Sequence, residues 1–181
     1  MDGAGKATQT KLLAAALAEP VVYDFPQYTG AFGPLIKSTM DMGYDDPWVD
    51  RIRALLMAAD RYDVAGDIER YLADGTDVIC NRYSPSNLVY GSALGLGQDW
   101  CEALDAYLPQ PDLVIVLVTD KPHRHKPRDD FERDGRLMRR VNALYMEYAR
   151  EFGWVLINAD QSKDKVHELI KHQVMPLLTA A

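Results

Sequence analysis

The sequence predicts an α/β fold in which a parallel sheet lies between layers of helices, and three observations predict it. Short apolar, β-branched runs alternate with longer helical stretches along the whole chain. A glycine-rich turn, Asp2-Gly3-Ala4-Gly5-Lys6-Ala7-Thr8-Gln9, opens into the first helix. The polar segments that carry chemistry fall directly after strands, where ligands collect in parallel α/β sheets.

Taken in order, a helix over residues 11–18 follows the turn, and Val21-Val22-Tyr23 begins a strand over 21–25. A long amphipathic stretch predicts one helix over 48–74, and Val78-Ile79-Cys80 marks a strand over 77–80. The next helix is predicted over 86–107, followed by a third strand over 112–118. A helix over 136–152, a strand over 154–158 and a last helix over 163–178 complete the alternation. Runs this short and this apolar suit strands buried on both faces, joined by right-handed crossovers. Residues 121–134 are polar with little periodicity, as expected of a loop that moves over a site.

At 181 residues, 48% of them hydrophobic, the chain fits one domain with its own core. No apolar run approaches the ~18–20 residues needed to span a bilayer, and the opening is no secretory leader, so a cytoplasmic protein without a membrane partner is expected. Cys80 and Cys101 have neither metal-ligand spacing nor the density of a disulfide framework, and read as buried thiols. The formal charge of −7 argues against a nucleic-acid polymer as partner. Small anions stay possible because basic residues gather locally: Arg124, Lys126, Arg128, Arg133, Arg136, Arg139 and Arg140.

The opening turn reads as the second half of a phosphate-binding P-loop, Gly-x-x-x-x-Gly-Lys-[Ser/Thr]. Gly3 and Gly5 let the backbone N–H groups of residues 3–8 turn toward phosphate oxygens, the helix start adds its positive dipole end, and Lys6 adds a full charge. The expected fold is therefore a three-layer P-loop NTPase fold, and Gly3, Ala4, Gly5, Lys6, Ala7 and Thr8 are the expected ATP contacts. Ala7 stands where the pattern offers a hydroxyl to Mg²⁺, leaving Thr8 to bond an inner phosphate. The first glycine of the pattern and the strand before it would fall ahead of Met1, so the chain reads as lacking its first strand. A glycine-rich cap on an ordinary helix would account for the turn taken alone.

Six segments in register resemble the thymidylate kinase family, from Asp2 to about Trp154. They are the opening turn, Asp24-Phe25-Pro26-Gln27-Tyr28, Ala58-Ala59-Asp60-Arg61, Asn81-Arg82-Tyr83 running on to Tyr90, Leu108-Pro109-Gln110-Pro111-Asp112, and Asp130-Phe131-Glu132-Arg133. The resemblance implies that Asp2 lies near the deoxyribose 3′-hydroxyl and the metal, through water. It implies that Phe25 and Tyr28 wrap the acceptor phosphate, that Arg61 reads the thymine O4 edge, and that Met57 covers the base. Arg82 would clamp the acceptor phosphate. Ser86, Asn87 and Tyr90 would hold the base edge and crowd the ribose 2′ carbon, with Asp129 and Phe131 touching the nucleoside.

Residues 121–136 resemble the family's lid, with Arg124 and Arg128 as the catalytic charges beside Lys6 and Arg82. Core packing is the other reading of Phe25, a solvated helix arginine that of Arg61, and a solvated charge run that of the lid. The sequence departs from the family at Ala7, at Asn81 in place of an aspartate, at Gln27 where some members have arginine, and at Met57 in place of phenylalanine. The activity implied is transfer of the γ-phosphoryl of ATP to dTMP, with Mg²⁺, by a homodimer. Open beside it are a kinase for dUMP or a modified pyrimidine, and a nucleotide binder or truncated homologue without chemistry.

Overall fold

The computed structural model describes residues 4–40, 42, 46–120 and 135–178. Its elements run α1 (Lys6–Ala16), β1 (Val21–Asp24), α2 (Gly33–Met40), α3 (Pro47–Tyr62), α4 (Ala65–Ala73), β2 (Val78–Asn81), α5 (Ser84–Ala93), α6 (Gln98–Leu104), β3 (Ile115–Val118), α7 (Gly135–Glu151), β4 (Val155–Asn158) and α8 (Lys163–Leu178). The predicted alternation is present with two refinements. The stretch 48–74 is two helices, because the chain leaves helical geometry at Val64 (φ −113°, ψ 4°). The stretch 86–107 is also two, divided where Gly95 and Gly97 take φ of 83° and 86°, values that end a right-handed helix.

Among the described residues all strand pairing is parallel. β1 pairs with β2 in the register Val21↔Val78 to Asp24↔Asn81, and β3 with β4 in the register Ile115↔Val155 to Val118↔Asn158. The expected single sheet thus comes as two halves, since no described strand pairs with both β2 and β3. α1 packs against β2 and α8. Its Thr10 hydroxyl donates to Asn81 Oδ1 at 2.9 Å, and Gln9 Nε2 donates to the Lys163 carbonyl at 2.9 Å, fastening both contacts.

Three apolar clusters hold these layers. Phe25, Ile68, Tyr83 and Leu108 fill the β1–β2 side, while Leu117, Ile157, Val166 and Ile170 join Ala4 on the β3–β4 side. The largest cluster lies between α5 and α7, around Leu88, Val89, Val141, Tyr145 and Tyr148. Burying side chains of this size contributes about 1.5–3 kcal/mol each. α3 begins at Asp46, whose carboxylate accepts from the Trp48 amide at 2.8 Å with Pro47 in the first turn. Arg53 on α3 pairs with Asp50 at 2.6 Å and donates to the Thr39 carbonyl, locking α2 to α3 inside the protein.

Candidate active site

At the start of α1, Gly5 has φ 87°, and Lys6 is the first helical residue. Only glycine takes that backbone without steric cost. The first turn of α1 holds no acidic side chain, so no residue of that turn offsets the positive end of its dipole. Ala7 and Thr8 are exposed and Lys6 is half-buried. The Ala4 side chain packs with Leu117 and Ile157, which leaves its backbone as the part able to face a phosphate. Asn81, which stands where the family has an aspartate, accepts from the Thr10 hydroxyl through its Oδ1.

The residues expected on the acceptor side come from the carboxyl end of β2 and from α5. Arg82, directly after β2, has φ 57°, a left-handed backbone uncommon for a non-glycine residue. Its Nη1 donates to the Tyr90 hydroxyl at 3.4 Å, and its guanidinium lies 5.9 Å from the Tyr90 ring centroid. One turn before Tyr90, Asn87 turns into the protein and donates from Nδ2 to Asp105 Oδ2 at 3.0 Å. Asp105 also accepts from Arg61, from Nε at 3.2 Å and from Nη2 at 2.9 Å to each oxygen. Arg61, Asp105 and Asn87 are only 2%, 5% and 7% exposed. Arg61 is therefore no solvated helix arginine. Ser86, on the same helix, shares a 3.1 Å hydrogen bond with the Tyr145 hydroxyl of α7.

Phe25 is 3% exposed and packs against Tyr83 at 5.6 Å between ring centroids, which places it in the core rather than on an open binding face. Past the cis Phe25–Pro26 bond the chain turns, and the Gln27 amide donates to Asp60 Oδ2 at 2.8 Å. Tyr28 is 40% exposed, with the Lys37 ammonium 5.3 Å from its ring centroid. Met57 lies half-buried on α3, one turn before Arg61. Asp2, Gly3, Arg124, Arg128, Asp129 and Phe131, with Lys126, lie outside the described residues.

Asp105, Asp60 and Tyr145 were not singled out from the sequence. Asp105 had a signal: a carboxylate set in the apolar run Ala103-Leu104-Asp105-Ala106-Tyr107-Leu108. Burial raises the Asp60 carboxyl above the ordinary aspartate range, against the Gln27 amide and Arg61, which pull it down. Burial also raises the Tyr83 hydroxyl and pushes the thiols of Cys80 and Cys101 up to about 12 and about 11. Both cysteines are free, as the sequence reading expected, and at those values they are poor nucleophiles.

The arrangement offers a backbone cradle with a lysine at α1, a guanidinium after β2, and a paired polar edge deeper along α5. These are groups of the kind that hold phosphates, and the sequence model of the thymidylate kinase family matches residues 1–170. The chain belongs to the thymidylate kinase family. The probable thymidylate kinase of Pyrococcus abyssi is 34% identical, over 98% of this chain and 95% of that protein. The thymidylate kinase of Dictyostelium discoideum is 29% identical over 92% of this chain and 78% of its own length. The solved structure of the thymidylate kinase of Candida albicans shares the fold, with a TM-score of 0.83 at 21% identity over 97% of this chain and 88% of that one. As a member of this family, the chain is a dTMP kinase: it transfers the γ-phosphoryl of ATP to dTMP, giving dTDP.

Proposed function

We propose that dTMP lies along α5 and that ATP approaches it from the start of α1. The observation that carries this reading is the line of groups on α5: Arg82 held against Tyr90 at one end, Asn87 joined to Asp105 and Arg61 at the other. A guanidinium, an aromatic ring and a polar edge follow in the order phosphate, sugar, base. Arg82 clamps the acceptor phosphate, Tyr90 crowds the deoxyribose, and Met57 covers the base that Arg61 and Asn87 read. Gly5, Lys6 and Thr8, with Gly3, hold the donor phosphates.

Catalysis by this set is positioning and charge neutralisation. The acceptor phosphate is itself an anionic nucleophile, so no general base is required. Arg82, Lys6 and the basic residues Arg124 and Arg128 share the charge of the transferring phosphoryl. Residues 121–136 act as the lid that excludes water as a rival acceptor, within one domain over residues 1–181. Mg²⁺ fits this donor set, since it keeps several waters and is bound largely by substrate phosphates. Asp2 would hold it through water, and bound there it would offset phosphate charge. A coupled assay of ADP release from Mg·ATP tests the reading: release should depend on dTMP, and a folded chain for which dTMP makes no difference would overturn it.

The partner proposed for the chain is a second copy. On α3 the exposed residues Trp48, Ile52, Leu55 and Tyr62 form a stripe at coiled-coil spacing, opposite the face that buries Arg53, Ala54, Ala58 and Arg61. The Tyr62 hydroxyl accepts from the Tyr107 amide, and Tyr107, 87% exposed, continues the patch. Wild type should sediment at twice 20.4 kDa, and Ile52→Glu should shift it to the single chain. A monomeric wild type at micromolar concentration would remove the homodimer. The setting proposed is the cytoplasm, where two free thiols stay reduced.

A further inference from the structure

Asp105 stands at the end of α6 and gathers α3 and α5 onto one carboxylate. An ion pair sealed this far from water is costly, and apolar replacements of equal size are often as stable. Its chemistry therefore asks for a use beyond holding helices together. A carboxylate has acceptors only, so the side of Asn87 that faces Asp105 must be its NH₂, and Asn87 Oδ1 must face away. The same carboxylate takes up Nε and Nη2 of Arg61, leaving Nη1 as the nitrogen outside the pair. Neither Nη1 nor Oδ1 enters another hydrogen bond among the described residues, and neither is among the polar atoms sealed from solvent without a partner.

We propose that Asp105 is the positioning residue that fixes the hydrogen-bond polarity of the base site. It holds one donor, Arg61 Nη1, beside one acceptor, Asn87 Oδ1. That pair complements a pyrimidine with a 4-oxo group and an N3–H, the edge shared by thymine and uracil. Against cytosine it sets donor toward the 4-amino group and acceptor toward the bare N3, two mismatches at once. Asp105 touches no substrate; it acts by forbidding the Asn87 amide to flip. Its partial neutralisation of Arg61 also keeps the base site from simply favouring anions, which leaves charge recognition to Arg82. The proposal rests on the dTMP reading of this site.

The test compares wild type with Asp105→Asn for kcat and KM on dTMP, dUMP and dCMP, with melting temperature alongside. An asparagine at 105 can present either a donor or an acceptor, so the Asn87 amide is free to turn. The preference for dTMP over dCMP, as the ratio of kcat/KM, should fall roughly ten- to a hundredfold, the worth of a charge-assisted hydrogen bond. The loss should fall mainly on KM. A purely structural role would lower the melting temperature and all three activities together, leaving the ratio unchanged, and that result overturns the proposal while leaving the dTMP kinase intact. Should the variant not fold, inhibition of wild type decides: dUMP should bind at least tenfold more tightly than dCMP, and equal binding overturns the proposal. Wild type without dTMP-dependent turnover would overturn both the reading and the inference resting on it.

Discussion

At the proposed acceptor end, Arg61, Asn87 and Asp105 bring α3, α5 and α6 together with none more than 7% exposed; at the proposed donor end, Gly5 to Thr8 offer backbone amides and one lysine at a helix start. On that reading one end recognises by side chains locked against one another, the other by a run of main chain whose turn asks for glycine at position 5. Locked side chains carry selectivity and make the site part of the core. A backbone cradle carries affinity for a common group, triphosphate, and asks little of the packing around it. Damage at the two ends should therefore differ in kind: loss of fold at the first, loss of rate at the second.

The largest effect that would sharpen this contrast is Arg61→Ala. It leaves Asp105 buried without its cation and should cost about 3–5 kcal/mol of stability, measured by denaturant unfolding. A loss under ~1 kcal/mol would break the contrast. Next comes Lys6→Ala, which should lower kcat about 10²–10³-fold, the range for a lost charge donor, with a melting temperature far closer to wild type than that of Arg61→Ala. If Lys6→Ala melted as early as Arg61→Ala, the donor end would be as structural as the acceptor end.

The smallest effect concerns Asp60, whose carboxyl holds the turn at Gln27. Burial raises its pKa in the folded chain, so the fold retains a proton that the unfolded chain, at an ordinary value near ~4, has released. Its contribution to stability is present below that ordinary value and is lost as pH rises through the raised one. Asp60→Asn carries no such proton, and its melting temperature should gain on wild type as pH goes from 4 to 7. A gap that does not change with pH would show that the Asp60 carboxyl is not shifted in the fold.

The same difference explains what the sequence disclosed. The proposed donor turn is contiguous, so its glycines and Lys6 stand out as a pattern in the sequence, and α1 begins at Lys6, directly after Gly5. The strands were visible as apolar runs, though the one expected over 112–118 pairs only from Ile115 to Val118, because a run of side chains does not mark where the ladder ends. The break between α3 and α4 carries no glycine or proline to announce it. The Arg61–Asp105 pair joins residues 44 apart in the chain, and Asn87 reaches Asp105 across 18. No local period or cap links such positions. Arg61 and Asn87 are named through the resemblance, whereas Asp105 is not, since nothing local in the sequence marks which helices its carboxylate joins.

Arg82 sits in a backbone conformation, φ 57°, that suits glycine and charges other residues of order 1–3 kcal/mol. That is a sizeable share of the ~5–15 kcal/mol by which a folded domain outlasts its unfolded chain. On the proposed role of Arg82, durability and turnover thus compete at this single position: glycine would relax the main chain and remove the charge proposed to meet the phosphate. Selection for heat resistance alone would push the site toward silence, and an enzyme that keeps an arginine there is being held to its chemistry.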